Sequence, residues 1–357
     1  MASFESIQRF EDKQDDMTEV LLPDMFKSFL KDYPKLNPHY AAVKATSEKW
    51  LIETCSLSPA ATKCVRECDF TYFCAIVYAD APLEEFQVVS DWGNWVFPFD
   101  DMFDEGELRD DPQAAQDMMD SLMSKMLGLP YHGEKSKLVQ AHDIIFERLC
   151  QNSSPETTRR YIKAMADYRD SVMSQVCNAS AGTLPEVKDM LKTRSRSIAA
   201  WAMYVMIEYA HGLDIPSEIL EHSTIKALEM VGLKIIAIAN DIVSYRKEEV
   251  DSVPHNMVAV CRMRGLSAQQ AFGTVGALLD SQLAAWEDHL GRVPSWGSKA
   301  DVEVEKYIEG IRNMARANLR SSFRSQRYFG QDASKVERTR KLNVLSNPPW
   351  GISVRGA

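Results

Sequence analysis

Carboxylates crowd one short stretch of this chain: residues 100 to 111, DDMFDEGELRDD, hold seven acidic side chains in twelve positions. On a helix Asp100 and Asp104 share a face, about 40° apart and separated by about 6 Å of rise. Like charges so placed repel, and a divalent cation would neutralise them; magnesium favours carboxylate oxygens, keeps several waters and binds substrate phosphates. Directly before the acids stands the apolar, aromatic run Trp95-Val96-Phe97-Pro98-Phe99. The cluster is therefore expected at the mouth of a buried space, with Pro98 kinking the helix just ahead of it. A solvated acidic helix end is the competing reading of the same residues.

A second polar set lies 140 residues further on, in NDIVSYRKE at 240–248. Asn240, Ser244 and Glu248 stand at i, i+4 and i+8, so their oxygens line one stripe about 12 Å long. The stripe continues backwards through Ile236 and Leu233, which reads as a cavity wall with an oxygen-donor metal site at its rim. A polar stripe facing solvent would use the same three residues, and the pairing with the earlier acids is what makes the metal reading specific. No HExxH zinc motif, P-loop or dinucleotide fingerprint occurs, which removes the commonest competing chemistries.

The elements that must position these groups are helices. Apolar residues recur at three- and four-residue spacing over roughly 41–55, 59–79, 83–104, 113–127, 136–150, 155–178, 185–211, 223–249, 267–290 and 300–328. Pro59, Pro82, Pro112, Pro155 and Pro185 fall near helix starts, where a missing N–H costs little. Alternating strand patterns are nearly absent, and no repeat or composition shift divides the chain. The expectation is an all-α, single-domain helical barrel or bundle over 1–357. Residues 331–357, which carry Pro348-Pro349 and Gly351, are expected to be mobile or to fold over an opening.

Composition narrows the partners. A net charge of −10 argues against nucleic acid, whose phosphates demand clustered Lys and Arg. The N-terminus lacks a signal-peptide pattern, and no run of about 18 apolar residues occurs, so a soluble, cytoplasmic protein without stable membrane insertion is expected. The seven cysteines form neither a paired framework nor a zinc cluster, which reads as reduced, buried thiols. Asn152-Ser153-Ser154 and Asn178-Ala179-Ser180 match the glycosylation pattern and receive no weight without a secretory signal.

Taken together, the two motifs strongly resemble those of class I terpene synthases, especially microbial, fungal-type sesquiterpene synthases with one α domain; the resemblance covers about residues 60–330 and implies that the catalytic core lies there. DDMFD at 100–104 looks like the family's aspartate-rich motif, and Asn240, Ser244 and Glu248 match its magnesium triad. Arg194 lies 46 residues before Asn240, the family's spacing for a diphosphate-sensing arginine, and Arg327-Tyr328 matches its terminal closing pair. The resemblance implies three Mg2+ ions, with Asp100 bridging two and Asn240, Ser244 and Glu248 holding the third; Asp104 is a further metal candidate. It also implies that Arg194, Lys247, Arg327 and Tyr328 contact diphosphate oxygens and that Asp101 pairs with Arg327. One departure stands out: Ser321 occupies the place where many relatives carry Trp, so that aromatic wall is not transferred.

The implied function is magnesium-dependent ionisation and cyclisation of farnesyl diphosphate, a prenyl diphosphate, to a sesquiterpene. Phe97, one turn before Asp100, is the candidate for stabilising positive charge in the substrate, with Phe73 and Val77 as further cavity residues; all three can equally be plain core. Arg312, Arg316, Arg320 and Arg324 follow one helix face and read as a solvated basic stripe. Two alternatives remain: a chain-elongating prenyltransferase, which usually carries two aspartate-rich motifs, and a catalytically silent helical scaffold. Monomer and homodimer are both open.

Overall fold

The computed structural model describes residues 16–104, 106–179, 186–197 and 200–350, apart from the side chains of residues 104, 178, 179, 196 and 197. The expected roles of Asp104, the Asn178 sequon and Pro185 therefore lie outside the described residues. A strand β1 (Met17–Leu21) leads into a short 3-10 turn at Ser28–Lys31. Helices α1 (Tyr40–Cys55), α2 (Pro59–Cys68), α3 (Phe70–Val77), α4 (Leu83–Asp104) and α5 (Pro112–Met126) follow. Next come α6 (Lys137–Asn152), α7 (Pro155–Ala179), α8 (Val187–Ser197), α9 (Ala200–His211) and α10 (Ser217–Leu220). The chain ends through α11 (Ser223–Val250), α12 (Met257–Met263), α13 (Ala268–Leu290), α14 (Ser298–Arg324), α15 (Ala333–Thr339) and β2 (Lys341–Leu345).

Helix starts follow local chemistry. Ser58, Asp111 and Ser136 cap α2, α5 and α6 by accepting a backbone N–H, and Pro59 and Pro112 occupy first-turn positions where no N–H is required. α4 continues through Pro98 to the acidic motif. The single helix expected over 59–79 is two, because Asp69 adopts a left-handed conformation, φ 51°, between α2 and α3. Asp tolerates that conformation better than most residues, and its carboxylate is engaged there by Tyr40 Oη at 2.5 Å and Lys44 Nζ at 3.0 Å. Gly93 lets α4 approach α3 closely, since a Cβ there would collide with Cys74 Sγ.

α11 is the central element. It packs against α8, α12, α13 and α14 and buries Leu233, Ile235, Ile236, Ile238, Ile242 and Val243. Cys55, Cys68, Cys74 and Cys261 are buried thiols, as expected, whereas Cys177 is exposed. No helix among the described residues is long and apolar enough to cross a membrane.

The stretch after Phe329 runs through α15 into β2, which pairs antiparallel with β1 from Met17↔Leu345 to Leu21↔Lys341. Arg262 then fastens the end of β2 to α11: its guanidinium donates to the carbonyls of Leu345 and Ser346, each at 2.7 Å, and pairs with Glu249 Oε1 at 3.1 Å. The tail expected at 331–357 is thus tied down through its described part by a backbone ladder and a buried ion pair, two kinds of contact that Pro and Gly content does not reveal.

The arginine stripe on α14 differs from expectation at Arg316 and Arg320. Arg316, 7% exposed, donates to the Phe29 carbonyl at 2.9 Å and lies 5.7 Å over the Phe29 ring. Arg320 covers the Phe26 and Tyr33 rings at 4.5 and 4.4 Å and donates to the Lys31 carbonyl. Arg324 stacks at 4.1 Å over Tyr72. Guanidinium groups are weakly hydrated and planar, so they bury against rings and carbonyls where ammonium groups would not. Arg316 and Arg320 are a clamp that seats the segment 26–33 on α14, whereas Arg324 is exposed. Arg316→Ala should destabilise the fold by about 2–3 kcal/mol through lost packing and an abandoned carbonyl, whereas Arg312→Ala should cost under about 1 kcal/mol. Urea unfolding of the two variants checks this, and equal midpoints would remove the clamp.

Candidate functional site

The acidic end of α4 and the polar stripe of α11 meet through the residues that follow α14. Arg327 donates from both terminal nitrogens to Asp101, at 2.6 and 3.2 Å. The next residue, Tyr328, accepts from Asn240 Nδ2 at its hydroxyl, 3.2 Å away. One dipeptide therefore links two motifs separated by 140 residues. Burial alone would raise the Asp101 carboxyl, but the Arg327 guanidinium overrides it and holds the group below the usual carboxylate range. A bidentate arginine–carboxylate pair of this kind is directional as well as strong.

Arg194, on α8, is buried and closes the other side. Its Nε donates to Asp241 Oδ1 at 2.9 Å and a terminal nitrogen donates to Asn240 Oδ1 at 2.8 Å. Asp241 in turn accepts the Met257 N–H at Oδ2, 2.7 Å away, which docks the start of α12 on α11. Ser244 and Glu248 follow along the stripe with Asn256 beside both: its Nδ2 lies 2.8 Å from Glu248 Oε2 and 3.4 Å from Ser244 Oγ. Burial pushes the Glu248 carboxyl up to about 7, with Arg194 pulling in the opposite direction. Lys247 is buried and its Nζ sits 3.5 Å from Asp251.

On the α4 side, Tyr168 of α7 donates to Asp100 Oδ1 at 2.7 Å. Phe97 is half-buried, stacked on Phe70 with ring centres 3.9 Å apart and edge-on to Phe73 at 6.3 Å. The Arg327 guanidinium carbon lies 5.8 Å from the Phe97 ring centre, so this aromatic group borders the junction of the two motifs. Ser321 turns its hydroxyl back to the Ala317 carbonyl at 2.6 Å and supplies no aromatic surface.

The structure thus brings Asp100, Asp101, Arg194, Asn240, Arg327 and Tyr328 to one region, with Ser244, Lys247 and Glu248 continuing along α11. Sequence reading missed Tyr168, Asn256 and Phe70. For Asn256 a signal existed, since Asn directly before the apolar run Met257–Cys261 is a helix-capping pattern; for Tyr168 and Phe70 none did, because each meets its partner only across helices.

The donor set suits a hard divalent cation. Asn240, Ser244 and Glu248 offer two neutral oxygens and one carboxylate on a single face, and Glu248 is a half-buried carboxylate whose charge a cation would offset. Among the described residues no three His, Cys, Asp or Glu side chains are grouped to hold a metal. A site of mixed Asn, Ser and Glu donors falls outside that pattern and leaves positions for water and phosphate oxygens.

The family model described as "Terpene synthase family 2, C-terminal metal binding" matches residues 91–285, a span that includes both motifs and Arg194. Silphinene synthase of Penicillium patulum is 34% identical over 92% of this chain and 90% of its own length. (+)-Eremophilene synthase of Gibberella fujikuroi is 30% identical over 94% and 95%. The fold of wild-type cucumene synthase superposes with a TM-score of 0.69 over 82% of this chain and 98% of that one, at 19% identity. A match across more than half the chain, near-complete relatives at this identity and an all-α class I architecture agree: the chain belongs to the terpene synthase family, metal-dependent lyases that act on prenyl diphosphates.

Proposed function

We propose that this protein ionises farnesyl diphosphate and cyclises the resulting allylic cation to a sesquiterpene, with three magnesium ions at the junction of α4 and α11. The observation that carries the reading is the Arg327-Tyr328 link between Asp101 and Asn240. It joins an aspartate-bearing helix end to an Asn, Ser, Glu stripe at a position that a diphosphate could bridge.

In this reading Asp100 binds metal from α4, and Asn240, Ser244 and Glu248 bind it from α11. Bound magnesium supplies Lewis-acid neutralisation of the leaving diphosphate. Arg194, Lys247, Arg327 and Tyr328 orient the diphosphate oxygens and stabilise the charge that develops when the carbon–oxygen bond breaks, both electrons leaving with oxygen. Arg327, tied to Asp101, closes the mouth so that water is excluded from the cation. Phe97 presents a π face at this mouth, worth about 0.5–2 kcal/mol toward a nearby positive charge.

The names of the relatives support cyclisation: silphinene and (+)-eremophilene are what those proteins are said to make. The chain-elongating alternative is not favoured. A silent scaffold deserves a direct test, because another relative, 31% identical over 94% of this chain, is itself named as inactive. Incubating the protein with farnesyl diphosphate, with and without magnesium, and analysing the extract by gas chromatography–mass spectrometry decides among the three. Cyclic C15 products that require magnesium are expected. Longer linear products on adding isopentenyl diphosphate would indicate elongation, and no turnover of any prenyl diphosphate would indicate the scaffold.

A further inference from the structure

Asn256 sits outside both motifs, on the residue that opens α12, yet its side chain is the closest neutral partner described for the proposed metal carboxylate on α11. It is fully buried, and every hydrogen-bonding position of its amide is engaged. Nδ2 donates to Glu248 Oε2 and to the Asp241 carbonyl, each at 2.8 Å, which uses both amide hydrogens. The approach to Ser244 Oγ at 3.4 Å is a weaker, shared contact. On the other side Oδ1 accepts the Val258 N–H at 2.7 Å and lies 3.4 Å from the Ala259 nitrogen, capping α12.

We propose that Asn256 is a positioning residue for metal binding: it fixes Glu248 and Ser244 in register by anchoring them to the N-terminus of α12. The inference rests on the reading of Glu248 and Ser244 as metal ligands. With Oε2 tied to the amide, Oε1 is the Glu248 oxygen that remains for a cation, and the carboxylate cannot rotate without breaking that part-buried bond. The amide is neutral, so it orients the carboxylate without competing for its charge as a lysine or arginine would. The Asp241 carbonyl and the Met257 N–H bond to Asp241 Oδ2 hold α12 against the same helix turn, which keeps the anchor itself from drifting. Supporting partners of this kind set metal affinity as well as ligand orientation, and their removal costs about 10–100-fold in affinity or activity.

Two roles of Asn256 can be separated because serine also caps helices but cannot reach Glu248 with an amide. The test compares the parent chain, Asn256→Ser and Glu248→Ala. Electron paramagnetic resonance reads Mn2+ binding in the presence of inorganic diphosphate, circular dichroism reads folding, and turnover is followed against magnesium concentration. For Asn256→Ser the expected result is intact helicity, Mn2+ binding weakened by about 10–100-fold and a matching rise in the magnesium needed for half-maximal turnover. The rate at saturating magnesium should fall by much less, a split that a general loss of packing would not produce, and Asn256→Gln should recover part of the affinity. Parent-like Mn2+ affinity in a folded Asn256→Ser protein, alongside lost affinity in Glu248→Ala, overturns the role of Asn256 alone. Parent-like affinity in Glu248→Ala overturns the ligand assignment on which it rests. Should the serine variant not fold, Asn256→Thr, which also caps, carries the same expectation and the same refutation.

Discussion

Glu248→Ala is expected to lower turnover of farnesyl diphosphate by about 10²–10³-fold while leaving the helical circular dichroism signal unchanged. Glu248 is the one formally charged member of the Asn240, Ser244 and Glu248 set, so its loss removes most of the attraction between α11 and a divalent cation. The fold should tolerate the change because α11 is held by its apolar face, where Leu233, Ile235, Ile238 and Ile242 are fully buried. Asn240→Ala should produce a loss of similar size, since its oxygen and nitrogen also link Arg194 to Tyr328. Steady-state assays over a range of magnesium concentrations check both, and the activity of neither variant should be restored at physiological magnesium. Full turnover in both would remove the stripe from the metal site.

Arg194→Ala carries the second large effect, and it should differ in kind. The guanidinium is paired with Asp241, which is fully buried. Removing one partner leaves an uncompensated carboxylate in the core, a change that typically costs about 3–5 kcal/mol. Both thermal stability and turnover should therefore fall, whereas Glu248→Ala should lower turnover with a smaller loss of stability, about that of the one hydrogen bond from Asn256. Arg194→Lys would keep the charge but not the fork that serves Asp241 and Asn240 together, and should lie between parent and alanine variant on both measures. A melting temperature equal to that of the parent in Arg194→Ala would mean that Asp241 is not held by this pair. Scanning calorimetry beside product assays separates the outcomes.

Much of the site is readable along the chain because its parts are local. Asn240, Ser244 and Glu248 share a face by helix periodicity alone, and the acids after Phe99 are contiguous. Family spacing then points to Arg194 and to Arg327-Tyr328. The break at Asp69 was not readable, since it depends on a left-handed residue secured by Tyr40 and Lys44 from another helix. Arg316 and Arg320 depart from the expected solvated stripe for a related reason. Their spacing describes a stripe, but whether a stripe meets water or a neighbouring segment depends on where Phe26, Phe29 and Tyr33 come to rest.

The amino-acid sequence by itself determined the helical class, the positions of the main helices, the oxygen donors on α11 and the acidic end of α4, because periodicity, capping and contiguity are properties of short stretches. Only the tertiary structure decided that Tyr168 holds Asp100, that Asn256 holds Glu248, that Phe97 stacks on Phe70 and that β1 pairs with β2. Each of these contacts joins elements whose relative placement depends on packing of the whole bundle, and no local pattern encodes which face of one helix will meet which residue of another.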